Sequence, residues 1–290
     1  MAEKFKTIAL IGKYQSPDIG APLGALARFL TERGIQVLLA RQTAERVGTL
    51  GLPSENLPEL AARVDLAIVM GGDGTMLNIA RTLVEHNVPL LGINQGRLGF
   101  LTDVSIDTMD ETIGRVLDGD YITEERILLR SSVWRAGEKV FDGCSFNDVV
   151  VGKGTIGRLI EVIIYIDGDF VYSQRLDGIV VATPTGSTAY ALSAGGPILH
   201  PSVEAVALVP ICPHTLSARP IVLNSHASIE VLVTHADDAR VHFDGQRHFD
   251  LIQGDRVRVG RAERTIRLLH PVDHSYYAML RQKLHWGEKL

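Results

Sequence analysis

The sequence predicts two domains, an α/β domain with a parallel sheet followed by a mainly antiparallel β domain. Three observations lead to this fold class. Apolar runs alternate with helix-like segments up to about Tyr121, short β-branched runs separated by Gly, Asp and Asn follow, and helical spacing returns at 275–284. We place the first domain at 1–122 with a returning helix at 273–290, and the second, β-rich domain at 123–272. The C-terminal helix is expected to pack back on the first domain.

The first domain is predicted from a regular alternation of strand and helix patterns. Extended runs are expected at 7–12, 37–40, 66–70 and 89–93, and an amphipathic helix at 23–33. Such a rhythm predicts a parallel sheet with helices on both faces, in which ligands bind at the carboxyl ends of the strands.

The second domain is predicted from β-branched runs that are too short for helices. The expected strands are 127–134, 149–151, 159–166, 179–182, 229–233 and 257–259, with one helix near 187–194. In the last segment, Tyr277, Leu280 and Leu284 are expected on one side of the C-terminal helix.

Composition and charge argue against two classes of partner, membranes and nucleic acids. Hydrophobic residues make up 46% and charged residues 22% of the 290 residues, which is typical of a globular protein. The apolar runs are shorter than a membrane span and the N-terminus lacks a signal-peptide core, so we expect a cytoplasmic protein without a membrane partner. A net charge of −5 without a dense basic block argues against nucleic acid. Cys144 and Cys212 are interpreted as buried free thiols, because neither has a ligand or partner at suitable spacing.

A glycine turn with one carboxylate is the strongest chemical signal. Gly71, Gly72, Asp73, Gly74 and Thr75 directly follow an apolar run and precede a helix-like stretch. Glycines allow close backbone approach, so the amide N–H groups can face an anion. A carboxylate beside that anion implies a proton to accept, a hydroxyl to hold or a metal to recruit. The alternative is a tight turn in which Asp73 only caps the helix.

Other motifs are weaker. Gly152–Gly157 matches GxGxxG, but a β-branched run follows it, so we interpret it as a hairpin. The chain has no Walker P-loop, and Ala191–Gly195 lacks the first glycine of a nucleophile elbow. The arginines Arg97, Arg158 and Arg175 are candidates for anion contacts or ordinary surface charges.

A hydroxyl-rich segment at 177–190 indicates a binding edge. Ser187 and Thr188 can cap the following helix, and Tyr190 offers an aromatic face to a base. Asn147 and Asp148 fit either an Asx turn or contacts to a sugar or carboxamide.

Together these segments resemble the NAD kinase family, which is related more distantly to phosphofructokinases and diacylglycerol kinases. The resemblance lies in Gly71–Thr75, Gly96–Leu101, Asn147–Asp148 and the stretch 177–201. Asp148 stands where many family members have Glu. The resemblance implies phosphoryl transfer from ATP to the 2′-hydroxyl of the adenosine ribose of NAD, giving NADP. The divalent metal ion, Mg²⁺ by expectation, would arrive with ATP, and no protein metal ligands are predicted.

The resemblance also implies roles for individual residues. Asp73 would be the catalytic base, and Gly71, Gly72, Gly74 and Thr75 would form the phosphate loop. The implied NAD-binding residues are Asp73, Gly74, Asn147, Asp148, Arg158, Arg175, Asp177, Thr188, Ala189, Tyr190, Ala191, Leu192, Ser193 and Gln246. The family resemblance further implies a homodimer or homotetramer.

Two other functions stay open from the sequence. A lipid kinase could share the glycine loop but would need an apolar entry groove or a basic membrane patch. A non-catalytic dinucleotide sensor would keep the Tyr190 pocket but would not need Asp73.

Overall fold

The structure, a computed structural model, describes residues 5–13, 19–96, 99–154 and 158–287. The chain forms two compact units, one of Met1–Glu125 with Ile266–Leu290 and one of Arg126–Thr265. Within the described residues no helix is both long and apolar enough to span a membrane.

The first unit is an α/β domain. Its strands are β1 (Thr7–Gly12), β2 (Gln36–Ala40), β3 (Ser54–Glu55), β4 (Leu66–Met70), β5 (Leu90–Asn94), β6 (Val104–Ser105), β7 (Ile122–Arg126) and β20 (Ile266–His270). Its helices are α1 (Gly20–Glu32), α2 (Arg41–Val47), α3 (Leu57–Ala61), α4 (Asp73–Leu83), α5 (Met109–Leu117) and α7 (Tyr276–Leu284). Short 3₁₀ turns cover Val84–His86 and Ile106–Thr108.

The sheet of the first unit has the strand order β3-β2-β1-β4-β5-β20-β7, with β6 on β5. Strands β1, β2, β4 and β5 pair in parallel, as their apolar runs predict. The chain moves outward to one side from β1 and to the other side from β4, so these neighbours mark the point where strand order reverses. Ligands of open α/β sheets bind at the carboxyl ends beside such a point.

The loop after β5 lies against that strand without room for a side chain. A Cβ on Gly92 would lie 2.3 Å from the Leu101 carbonyl oxygen, so only glycine permits this approach. The Asn94 amide donates to the carbonyls of Thr102 at 3.4 Å and Val104 at 3.1 Å. The segment 99–102 is therefore held along β5.

The C-terminal helix belongs to the first unit, as predicted. The Ser275 hydroxyl accepts from the Ala278 N–H and caps the helix. Positions 277, 280 and 284 share one side of this helix, as predicted, and the buried residues are Met279 and Leu280, whereas Tyr277 is exposed.

The second unit is a β domain of two sheets. Its strands are β8 (Leu129–Arg135), β9 (Glu138–Ser145), β10 (Asp148–Lys153), β11 (Ile160–Ile166), β12 (Asp169–Leu176), β13 (Gly178–Ala182), β14 (Ala205–Ile211), β15 (Ile221–Asn224), β16 (Ile229–His235), β17 (Ala239–Phe243), β18 (Arg247–Leu251) and β19 (Arg256–Arg261). The sheet orders are β15-β14-β13-β10-β17-β18 and β12-β11-β16-β19-β8-β9. Alternating apolar side chains of both sheets form one core.

The predicted hairpin at Gly152–Gly157 was wrong. Strand β10 pairs with β13 and β17, whereas β11 pairs with β12 and β16, so the segment connects different sheets. Thr155, Ile156 and Gly157 lie outside the described residues.

The helix predicted near 187–194 was also wrong in its continuity. A 3₁₀ turn (Gly186–Thr188) and a short helix, α6 (Tyr190–Ser193), are separated at Ala189, where φ is −101° and ψ −127°. Ser187 caps neither piece, because its hydroxyl donates to Pro184 O and accepts from Leu199 N. Cys144 is half-buried and Cys212 exposed, so the predicted burial of both cysteines was wrong.

We predict that Gly92→Ala lowers the free energy of unfolding by about 1–3 kcal/mol, because the added methyl group overlaps backbone atoms of the 99–102 segment. Gly260→Ala is the matched control, since Gly260 also lies in a strand but has no atom within 4 Å of its added Cβ. Thermal and denaturant unfolding of both variants measure the effect. Equal stabilities would contradict the close approach.

Candidate active site

Asp73 lies at the first position of α4, directly beyond the fully buried strand β4. Its two carboxylate oxygens accept one backbone N–H each, from Phe100 at 2.9 Å and from Leu101 at 3.0 Å. Each ionised oxygen has a second lone pair, so the half-buried carboxylate can still accept a further hydrogen bond. The two hydrogen bonds therefore fix the direction of the carboxylate and leave each oxygen able to accept one more.

Two backbone amides of the glycine loop around Asp73 donate to backbone carbonyls of the protein. Gly71 N–H donates to the Ile93 carbonyl at 2.8 Å, and Thr75 N–H donates to the Gly72 carbonyl at 2.9 Å. Those two amides are therefore engaged within the protein. Gly72 and Gly74 are exposed.

Gly99 makes the contact between Asp73 and the loop possible. A Cβ at this position would lie 2.1 Å from Asp73 Oδ1. Its neighbours Arg97 and Leu98, which belong to the motif named in the sequence, lie outside the described residues.

A pocket of about 510 Å³ lies within the second unit. Five predicted site residues line it: Asn147, Asp148, Asp177, Ala189 and Tyr190. Tyr190 is 48% exposed and lines the pocket, so its side chain is accessible to a ligand. This volume and the mixture of one aromatic ring with a few polar groups suit a small organic ligand.

Asp244 organises the floor of this pocket. It stands with Gly245 in the turn between β17 and β18, and both residues have positive φ, 52° and 63°. The Asp244 carboxylate accepts the successive N–H groups of Phe146, Asn147 and Asp148. The Asp244 side chain therefore fixes the backbone of Asn147 and Asp148, the two polar residues predicted to contact a ligand.

Asp148 is buried at the start of β10 and faces the pocket. Burial raises the pKa of its carboxyl group to about 7, and the negative charge of Asp244 adds to the shift. Near neutral pH the group can therefore be either a donor or an acceptor of hydrogen bonds.

The other polar groups of the pocket are ordered by contacts on neighbouring strands. The Lys153 ammonium lies 2.7 Å from the Asp177 carboxylate, which balances one negative charge. Burial, with the charge of His248, lowers the pKa of His242, so neutral imidazole is favoured there.

The remaining predicted residues do not line this pocket. Arg158 pairs with Asp237 at 3.2 Å, and Arg175 pairs with Glu161 at 3.1 Å, both at exposed positions. Ala191 is buried in a core cluster of the second unit. Four more residues are close in sequence to residues that line the pocket and are half-buried or exposed: Thr188, Leu192, Ser193 and Gln246.

Sequence reasoning missed Lys153, His242 and Asp244. The Asp244-Gly245 pair between alternating runs is a strong hairpin signal and could have located the turn. No local pattern points to the amides that Asp244 binds, because they lie nearly 100 residues away, at separations of 96 to 98.

Profiles of the ATP-NAD kinase family match most of the chain. The N-terminal domain profile covers residues 9–121 and the C-terminal domain profile covers residues 146–270. Among solved structures, yeast NADH kinase complexed with NADH has a TM-score of 0.90 at 24% identity, covering 99% of this chain and 90% of that one. An NAD kinase from Archaeoglobus fulgidus in complex with ATP has a TM-score of 0.75 at 26% identity, with coverages of 96% and 98%.

Curated relatives match over nearly their full length. The NAD kinase of Thiobacillus denitrificans is 62% identical over 286 residues, covering 99% of both chains. That of Aromatoleum aromaticum is 54% identical over 288 residues, covering 99% of this chain and 96% of the relative. With these identities and both domain profiles, the chain belongs to the ATP-NAD kinase family.

Proposed function

We propose that this chain transfers the γ-phosphoryl group of ATP to the 2′-hydroxyl of the adenosine ribose of NAD, giving NADP. The observation that carries the proposal is Asp73, a carboxylate fixed by two backbone amides at the carboxyl end of a parallel sheet. Full-length identity to curated NAD kinases supports the same reaction.

Asp73 acts as the general base. A ribose hydroxyl is a weak nucleophile, so a positioned carboxylate that accepts its proton makes its oxygen reactive toward phosphorus. The proton moves to Asp73, the oxygen forms the new bond to the γ-phosphorus, and ADP leaves. Phe100 and Leu101 hold the carboxylate in place, which reduces the entropy lost in reaching the transition state.

The pocket of the second unit takes part of the dinucleotide. Asn147 and Asp148 bind ribose hydroxyl or base groups, Asp177 binds a polar base edge or carboxamide, and Tyr190 stacks on a base. For the other residues, NAD binding stays a prediction from the family resemblance: Thr188, Ala191, Leu192, Ser193, Arg158, Arg175 and Gln246.

A divalent ion is expected to arrive with ATP. A carboxylate oxygen is a hard ligand of the kind that Mg²⁺ takes, and the second lone pair on each Asp73 oxygen fits one such contact, directly or through water. Bound there, the ion would offset charge on the transferring phosphoryl group.

Formation of NADP from NAD and ATP tests the proposal, with diacylglycerol as a control acceptor. NADP formation supports it. Phosphorylation of diacylglycerol would favour the lipid kinase, and NAD binding without turnover would favour the sensor. The cytoplasmic location stays a prediction. The homodimer or homotetramer also stays a prediction, and light scattering at several protein concentrations would measure the oligomeric state.

We predict that Asp73→Asn lowers kcat by about 10²–10⁴, because the amide cannot accept the hydroxyl proton. NAD binding, measured by calorimetry, should persist. Asp110→Asn is the matched control, since Asp110 also lies in the first turn of a helix but is exposed. Near-normal turnover of Asp73→Asn would remove the base assignment.

We predict that Tyr190→Ala weakens NAD binding by about 1–3 kcal/mol, the usual value of one stacked base. Tyr277→Ala serves as control, because Tyr277 is similarly exposed at 54% but lies in the first unit on α7. Dissociation constants from calorimetry measure both. Unchanged affinity of the Tyr190 variant would place the base elsewhere.

We predict that Asp148→Asn stabilises the free protein in a pH-dependent way. In the unfolded chain this carboxyl group has its ordinary pKa of 3.8, whereas burial in the folded protein raises that pKa to about 7. The wild-type protein therefore loses stability as pH rises from about 4 through 7, on the order of a few kcal/mol, and the amide variant does not.

Chemical denaturation between pH 5 and 8.5 measures the difference between this variant and the wild type. Asp169→Asn is the control, because Asp169 also begins a strand but is exposed. The stability gain of Asp148→Asn should grow with pH, whereas a gain of equal size at every pH would show that the carboxyl does not titrate in this range.

A further inference from the structure

A buried cluster in the first unit lies directly beyond the loop that holds Asp73. It consists of Asp103, His270 and His274, called here the Asp103 cluster. Asp103 Oδ2 lies 2.8 Å from His270 Nδ1 and 2.7 Å from His274 Nδ1. The three side chains are 6%, 1% and 9% exposed, respectively. Both imidazole rings stack at 4.1 Å.

The protonation states follow from the contacts. Burial alone would raise the pKa of Asp103, but hydrogen bonds from His270 and His274 outweigh it and hold that pKa well below its usual range. An ionised carboxylate only accepts, so both Nδ1 atoms carry protons and donate. His270 Nε2 lies 3.3 Å from Glu124 Oε2. Although burial alone would lower the pKa of His270, the carboxylates of Asp103 and Glu124 raise it.

The distances favour hydrogen bonds over a metal centre. The nitrogen and oxygen atoms of these three residues lie close enough together to suggest a cation site. Ligands about 2.0–2.2 Å from a tetrahedral zinc ion would be roughly 3.3 Å or more apart, however. The observed separations of 2.7 and 2.8 Å are those of N–H···O bonds to an ionised acceptor.

The cluster fixes one end of the segment that donates to Asp73. Asp103 follows Thr102, whose carbonyl accepts from Gly99 N–H at 3.0 Å and from the Asn94 amide. Only Thr102 separates it from Leu101, which donates to Asp73 Oδ1. A shift of the Asp103 side chain therefore moves the main chain next to both donors.

We propose that Asp103 is a positioning residue for Asp73, fixed in turn by His270 and His274. The two histidines border the turn between β20 and α7, so the C-terminal segment secures the loop of the catalytic carboxylate. The catalytic part of this inference rests on the proposed role of Asp73 as base. The structural part, that the cluster orders the 99–102 segment, does not.

The first experiment compares Asp103→Asn with Asp255→Asn in the full chain. Asp255 is the matched control because it is fully buried and also accepts two side-chain N–H bonds, both from Arg135 in the second unit. Asp103→Asn should lower kcat about tenfold to a hundredfold with KM values nearly unchanged, as expected for a misplaced catalytic group. Asp255→Asn should lose stability but keep its kcat.

The second experiment keeps the inference testable if Asp103→Asn does not fold. His274→Asn places an amide nitrogen at the same branch position as Nδ1 and preserves a donor, whereas His274→Leu removes it. The leucine variant should lose about tenfold in kcat and the asparagine variant should recover most of it. Equal losses in both, or none in either, would overturn the inference.

Hydrogen exchange separates this inference from the proposed function. Amides of Phe100 and Leu101 should exchange faster in His274→Leu than in wild type, and at wild-type rates in Asp255→Asn. Unchanged exchange would overturn the positioning role even if kcat falls. Normal turnover of Asp73→Asn would instead remove the base assignment and the catalytic part of this inference, and it would leave the ordering of the 99–102 segment untouched. Stoichiometric zinc in the purified protein would overturn the hydrogen-bonded cluster.

Discussion

The site of the first unit depends on one constraint, the fixing of the Asp73 carboxylate by the backbone amides of Phe100 and Leu101. A short side chain at a helix start has few rotamers, and two donors from a separate loop select one direction for it. Gly99 permits this contact, because a Cβ at this position would overlap Asp73 itself. Gly99 lies outside the phosphate loop of residues 71–75, so glycine is required here by the approach of a carboxylate and not of a bound anion.

The second unit uses the same device with a different result. Asp244 also accepts successive backbone amides, yet its negative charge lies near Asp148 and adds to the effect of burial, which raises the pKa of that group to about 7. Asp244 and Asp148 thus have different roles. Asp244 orders the chain, and Asp148 stays close to a change of protonation, which fits a group that contacts hydroxyls.

Sequence reasoning was accurate for several fully buried strands, although it missed the buried strand β14, and it was poor for several strands that are only partly buried. Strands β1 and β4 were predicted with their observed bounds, because continuous apolar runs bounded by glycine have few alternatives. Strands β9, β12 and β18 were not predicted, since most of their residues are half-buried or exposed and show no clear alternation. The Asp103 cluster joins residues 167 and 171 positions apart, which no local pattern reveals.

The charges of the pocket limit which part of a dinucleotide it suits. Asp148, Asp177 and Asp244 line it, whereas Lys153 is already paired with Asp177 and His242 favours its neutral form. Such a surface repels phosphate and attracts hydroxyl, amino and carboxamide groups. Under the proposed function, the pocket therefore fits a nucleoside end of NAD and not its pyrophosphate. Ionisation of Asp148 strengthens this preference, because the added charge favours donors further and opposes phosphate more.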